Sequence, residues 1–260
     1  MVRLSTGVVL ILAVVASVWL LPSWILLLAA AAVLVLALVE YGRLADSVGA
    51  RVPLVVAGAG ALACCAAVGL GTPLEAPLLA TVVVVGGVVV ASRGPAPAVL
   101  GDVGAALLPT LYLGLPLGSL VALHAGWGRE AVLLLLLNVV LSDTAQYYGG
   151  RLLGRRPLSP LISPKKTLEG AVAGLLVTPP VVTLVGRAWL PGVSPGRLIL
   201  VSLALVGLGI VGDLFESLLK RSAGVKDSSA LIPGHGGVLD RIDSLLFAAP
   251  GFYLFLRYAV

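Results

Sequence analysis

The stretch Ala131-Val132-Leu133-Leu134-Leu135-Leu136-Leu137-Asn138-Val139-Val140-Leu141-Ser142-Asp143-Thr144 decides the fold. A helix that crosses a bilayer needs about 20 mostly apolar residues. The run from Ala131 to Gly149 supplies them, with one carboxylate, Asp143, inside or just at its end. Eight more such runs lie on either side: Ser5 to Leu21, Trp24 to Val39, Val52 to Leu70, Ala76 to Ala91, Val103 to Leu123, Gly170 to Leu190, Leu198 to Leu219, and Ser244 to Val260. Pro22, Pro53, Pro73, Pro77 and the Pro95/Pro97 pair sit at or near the breaks, where a missing backbone N–H costs least. The pattern predicts an all-α polytopic membrane protein with about nine transmembrane helices. Setting aside the second and fourth runs, the shortest at 16 residues each, leaves seven.

Composition agrees. Of 260 residues, 59% are hydrophobic and 11% charged, against about 25% charged in soluble domains. Mean hydropathy is +1.11. So little polar surface excludes a water-soluble globule, a disordered chain and a disulfide scaffold. The net charge of +5 is too thinly spread to suit nucleic acid. Cys64 and Cys65 are adjacent within an apolar run, which makes them small packing residues rather than a bridge or a metal site.

Lys and Arg set the orientation. With the N-terminus in the cytoplasm, only Arg129, Arg187, Arg197 and Arg257 of the 17 fall on the far face. Arg3 followed by an apolar run also fits a signal peptide. No convincing small-x-small cleavage site precedes the second run, so a retained helix is expected. In the first half Glu40, Asp46, Glu75 and Asp102 read as helix-end or loop charges, and His124 as an interfacial polar residue.

Acidic residues instead gather between Asp143 and Asp243, at the cytoplasmic ends of the last helices. Carboxylates inside apolar segments are costly and are functional candidates by default. Asp143 alone is equally well explained as a helix-end carboxylate satisfied by Arg151 or a serine. The loop Arg151 to Gly170 carries five cations and three prolines. A positive-inside anchor would need no more than that charge. However, Ser163-Pro164-Lys165-Lys166-Thr167 ends just before Glu169, where a helix begins, and lysines, hydroxyls and a helix N-terminus together suit a phosphate.

The richest stretch runs from Gly212 to Ser244. Asp213, Glu216, Ser217 and Lys220 share one helical face by spacing, and Asp240 and Asp243 share another. Carboxylates from two helix ends can converge on a hard cation such as Mg²⁺. Gly234-His235-Gly236-Gly237 can bring backbone N–H groups to an anion. A salt-bridged loop is the plainer alternative, and it explains the density of carboxylates, cations and glycines less well. No serine-hydrolase elbow, Walker A loop, zinc pattern or redox pair is present. The residue types point to metal-assisted phosphoryl or nucleotidyl transfer on a lipid.

That stretch resembles the defining motif of the phosphatidate cytidylyltransferases, also called CDP-diacylglycerol synthases. It reads Ser217-x-x-Lys220-Arg221, Lys226-Asp227, then Pro233-x-His235-Gly236-Gly237-x-x-Asp240-Arg241-x-Asp243. Ser163-Pro164-Lys165-Lys166-Thr167-x-Glu169-Gly170 and Asp143-Thr144 are also similar. The resemblance covers roughly Leu111 to the C-terminus. Ala145-Gln146-Tyr147 and Leu168 depart from the common pattern, which touches substrate detail and not the candidate metal ligands.

The resemblance implies N-terminal transmembrane helices over 1–100 and a catalytic transmembrane domain over 101–260, with cytoplasmic loops 150–169 and 220–243. It implies an inner-membrane enzyme joining CTP to phosphatidic acid, giving CDP-diacylglycerol and pyrophosphate. Mg²⁺ would be required, K⁺ is a candidate second cation, and a homodimer is implied. Asp213 and Asp240 are the first metal-ligand candidates, with Asp143 and Asp243 beside them. Asp213, Lys226, Asp227, Asp240, Arg241 and Asp243 form the expected catalytic set. Ser163, Lys165, Lys166, Glu216, Ser217, Lys220, Arg221, His235, Gly236 and Gly237 form the expected substrate-binding set.

Three other readings stand beside it. A transporter suits the many crossings, but the polar residues keep to one face and show no internal repeat. A lipid or polyprenol kinase would lack the Pro-x-His-Gly-Gly-x-x-Asp-Arg-x-Asp pattern. A CDP-alcohol phosphotransferase would carry a different aspartate motif, absent here.

Overall fold

The computed structural model describes residues 2–229, 231 and 236–260. In chain order the helices are α1 (Val2–Leu20), α2 (Ser23–Ser47), α3 (Leu54–Gly69), α4 (Glu75–Ser92), α5 (Val99–Pro109), a π-helical turn (Thr110–Gly114), α6 (Leu115–Leu153), α7 (Leu168–Trp189), α8 (Pro195–Ser222) and α9 (Leu239–Tyr258). Each apolar run of the sequence falls on a helix. The fifth and sixth lie on two helices that meet at a kink at Gly128, whose φ of 80° and ψ of 177° are non-helical values open to glycine.

One segment departs from an all-α chain. Pro157–Ser159 (β1) and Ser163–Thr167 (β2) pair antiparallel, with Pro157 opposite Thr167 and Ser159 opposite Ser163. Pro157, Pro160 and Pro164 fix φ and bias their predecessors toward extended backbone, so this part of the loop cannot coil into a helix.

Among the described residues five helical stretches are long and apolar enough to cross a membrane: Ser23–Ser47, Glu75–Ser92, Val99–Leu153, Leu168–Trp189 and Pro195–Ser222. Large apolar side chains lie exposed along them, including Leu28, Val83, Val90, Leu176, Leu184 and Leu200. Such surface belongs against lipid tails, and the chain is an integral membrane protein.

The chain forms two compact units, Met1–Ala125 with Leu219–Ile242, and Gly126–Leu218 with Asp243–Val260. Residues 219–242 therefore belong with the N-terminal helices, a grouping that sequence position alone did not suggest. In the first unit α3 buries Ala57, Gly58, Ala61, Cys64 and Cys65. Gly114 and Gly118 lie so close that a Cβ would stand 2.5 Å from the Ala61 carbonyl oxygen and 2.6 Å from that of Cys65. Lipid is as apolar as leucine, so close backbone approach and dispersion hold such helices together. Both cysteines are free and buried, packing residues as expected. His124 also bonds inside this unit, Nδ1 to Ser23 Oγ at 2.9 Å and Nε2 to the Val18 carbonyl at 3.1 Å.

In the second unit Leu134, Leu135, Leu198, Leu246 and Phe252 form a fully buried core. The Asn138 side-chain amide donates to Ser202 Oγ at 2.6 Å within it.

Candidate functional site

In the first unit, the segment after α8 closes around two carboxylates. Gly224, with φ of 71°, ends that helix, and the Val225 N–H returns to the Lys220 carbonyl at 2.9 Å. Asp240 stands in the first turn of α9, ahead of the apolar run that begins at Ser244. Its Oδ1 takes the Lys220 ammonium at 2.5 Å. Its Oδ2 accepts from Gly237 N at 2.7 Å, Ser228 Oγ at 2.8 Å and Ser228 N at 3.0 Å. Burial pushes the carboxyl toward protonation. The Lys220 ammonium, the Gly237 N–H and the two Ser228 donors outweigh it and hold Asp240 well below the usual carboxylate range. As an expected metal ligand Asp240 therefore has both oxygens already engaged.

The second carboxylate is Glu40, which the sequence suggested was a helix-end charge. α2 runs on to Ser47, so Glu40 lies inside the helix, 2% exposed. Its Oε1 accepts from Ser229 Oγ at 2.6 Å and Val238 N at 2.9 Å. Its Oε2 accepts from Leu239 N at 2.8 Å and Ser228 Oγ at 3.0 Å. The two adjacent glycines fit this cradle. Gly236 has φ of 80°, where side chains are strained, and a Cβ there would sit 2.7 Å from Asp240 Oδ2. A Cβ on Gly237 would land on Ser228 Oγ and stand 2.5 Å from Glu40 Oε2. Arg221, Lys226, Asp227 and Arg241 are exposed around this segment. Pro233, Gly234 and His235 lie outside the described residues.

A second constellation stands in the second unit. Thr167 caps α7, its Oγ1 accepting from Gly170 N at 3.1 Å, so a helix begins where the sequence predicts one. Glu169 accepts the N–H groups of Arg155 and Arg156 at 3.0 and 3.2 Å and ties back the preceding loop. On β2, Lys166 reaches Asp213 Oδ2 at 2.5 Å, while Lys165 is exposed. Ser217 Oγ donates to Asp213 Oδ1 at 3.3 Å. Gly212 brings α8 against α9: a Cβ there would stand 2.5 Å from the Asp243 carbonyl oxygen. Asp243 feels the charges of Asp213, Asp143 and Lys166, so three of the four expected metal ligands share this neighbourhood. Glu216 is fully buried, and Ser163 is half-buried.

The chemistry of that donor set fits a hard cation: carboxylate oxygens only, with an ammonium already held by one of them. Among the described residues no three such groups yet close around a single point.

Residues 1–259 match the sequence model of the Cytidylyltransferase family. The chain belongs to that family. Parts of the chain are also similar to curated relatives. A phosphatidate cytidylyltransferase of Helicobacter pylori is 42% identical over 153 residues, 59% of this chain and 57% of the relative. One of Haemophilus influenzae is 42% identical over 142 residues, 51% of this chain and 48% of the relative. Phosphatidate cytidylyltransferase 5, chloroplastic, of Arabidopsis thaliana is 44% identical over 138 residues, 52% and 34%. The matched stretch thus spans about half the length of the bacterial relatives. Within the chain, Lys220, Ser228, Gly236, Gly237 and Asp240 meet in one cradle, and Asp143, Lys166, Asp213 and Asp243 form the other group. Glu40 is the residue that the motif pattern missed.

Proposed function

We propose that this chain transfers the cytidylyl group of CTP to phosphatidic acid, releasing pyrophosphate and giving CDP-diacylglycerol for phospholipid synthesis. The family match over residues 1–259 carries the reading, and the names of the relatives supply the lipid substrate. A phosphatidate oxygen attacks the α-phosphorus of CTP in line. The bond to the β-phosphate oxygen breaks, and pyrophosphate leaves with its electron pair. The attacking phosphate monoester has a second pKa of about 6 and is a nucleophile near neutrality, so the step needs no strong general base.

Each constellation has a part. In the first unit Gly236 is assigned to offering backbone to an anion, with Gly237 shaping the turn through its bond to Asp240, and Arg221, Lys226 and Arg241 supply positive charge for phosphates. Lys220 and Asp240 hold the segment in shape, and His235 is assigned as a phosphate donor. Asp227 is assigned to orienting these cations. In the second unit Lys165, Ser163 and Ser217 are assigned to phosphate oxygens. Asp143, Asp213 and Asp243 would hold Mg²⁺, with Lys166 orienting Asp213. The ion would supply charge neutralisation at the phosphates. We assign K⁺ as the candidate second cation.

We place the protein in the cytoplasmic membrane with about nine crossings, a cytoplasmic N-terminus, the site facing the cytoplasm, and a homodimeric state. The Lys and Arg distribution supports the orientation. The test incubates purified protein with CTP, phosphatidic acid and Mg²⁺ and assays CDP-diacylglycerol and pyrophosphate. Formation of both supports the reading, and absence of both across several lipid compositions overturns it.

A further inference from the structure

We propose that Glu40 is a positioning residue for this reaction: its carboxylate ties Ser228 and Ser229 to Val238 and Leu239 and so holds Gly236 and the cations Arg221, Lys226 and Arg241 in the arrangement that meets an anionic nucleotide. The inference rests on the proposed function for its ligand, but the clamp itself can be tested separately.

A carboxylate in the interior of an apolar helix is costly to keep, and it persists where its lone pairs are satisfied. Among the described residues Glu40 accepts from four donors, and all four come from one part of the chain far away in sequence. Ser228 and Ser229 precede the glycine-rich stretch, and Val238 and Leu239 follow it. Without Glu40 both flanks lose their anchor together. The fit is close on the loop side too, since only a glycine at 237 leaves room for Glu40 Oε2.

Ser228 Oγ lies 3.0 Å from Glu40 and 2.8 Å from Asp240. Its single proton serves two carboxylates, which couples Glu40 to the residue that holds Lys220. Glutamine is the informative replacement. Its carboxamide keeps the shape of the carboxylate but turns one acceptor into a donor. The hydroxyls of Ser228 and Ser229 can reverse to accept, whereas the N–H groups of Val238 and Leu239 cannot. Either orientation of the amide leaves one backbone N–H facing another donor.

The experiment compares wild type, Glu40→Gln and Ser229→Ala as full chains in the same detergent. It reads KM for CTP, kcat per folded molecule, and hydrogen exchange of amides 237–239. We expect Glu40→Gln to raise KM for CTP at least about tenfold and to speed that exchange by a similar factor, because a buried donor loses its acceptor. Amides within α6 and α7 should keep their protection. Ser229→Ala should move both readouts in the same direction by less. Unchanged KM and exchange overturn the proposal. So does a fall in total activity that only tracks the loss of folded protein, with KM unchanged. If wild type forms no CDP-diacylglycerol, the proposed function fails, while the exchange rates still decide whether Glu40 holds the segment.

Discussion

Replacing Asp240 by Asn removes a charge and almost no volume. The structure shows what that does. Oδ1 faces the Lys220 ammonium, and Oδ2 faces Ser228 and the N–H of Gly237. An asparagine must point its NH₂ at one side or the other, and the Lys220 ammonium and the Gly237 N–H both only donate. The Lys220 and Asp240 side chains are 11% and 7% exposed, so solvent can do little to compensate. Breaking a buried ion pair from one side typically costs about 3–5 kcal/mol. Where that cost falls on the segment that the pair closes, kcat/KM drops by about two to four orders of magnitude at about 1.36 kcal/mol per tenfold. Turnover of CTP with phosphatidic acid should therefore nearly vanish while the protein still inserts and elutes as wild type. The pH dependence has a definite sign. Asp240 is held below its ordinary value of 3.8, so its contribution to stability is full above that value and is lost as pH falls below it. The stability gap between wild type and Asp240→Asn, measured by thermal melting, should shrink on acidification below about pH 4. Near-normal turnover in Asp240→Asn, or a gap that widens on acidification, refutes the reasoning.

Other variants test separate parts. Gly237→Ala should raise KM for CTP at least about tenfold, since a methyl must displace Glu40 or Ser228, and overpacking costs about 1–3 kcal/mol. Asp213→Asn should shift the Mg²⁺ concentration for half-maximal activity upward by about 10–100-fold, read from Mg²⁺ titrations. An unchanged midpoint would remove Asp213 from the cation's ligands. Asp102→Ala is a structural contrast. Its carboxylate pairs with Arg93 and accepts the Arg51 N–H at 2.8 Å, so its loss should lower the melting temperature with KM for CTP unchanged.

Much of this chain is legible because lipid simplifies the code. A run such as Leu133 to Leu137 has one favourable environment, and the helices follow the apolar runs closely. The break between the runs that end at Leu123 and begin at Ala131 was legible, and the non-helical dihedrals of Gly128 supply it. The β1–β2 pair was missed because residues 157–167 lack the alternating apolar pattern of a half-buried strand, and their order comes from prolines and a helix cap. Glu40 was missed for a different reason. Its partners lie as far as 199 positions away, and no local pattern encodes them. A usable signal existed nonetheless. Glu40 follows an unbroken apolar run, as Asp143 does, and the rule that marks intramembrane carboxylates applies equally to both. Asp102, 4% exposed, repeats the lesson.

Burial sorts the charges of the first unit into two jobs. Glu40, Asp240 and Lys220 are buried or nearly so and spend their bonding capacity on one another's segment. They fix a shape and have little left to offer a ligand. Arg221, Lys226 and Arg241 are exposed along the same segment and stand open to solvent, as the proposed capture of a nucleotide requires. Exposed charges act over about a Debye length, close to 8 Å at physiological ionic strength, and salt weakens them. Buried pairs are screened far less. Salt should therefore weaken the capture of CTP by the outer cations and leave the cradle's shape intact. Sequence motifs group all these residues together, because spacing records only that they recur near one another. Burial separates the two groups, and Glu40, outside every motif, falls with the buried one.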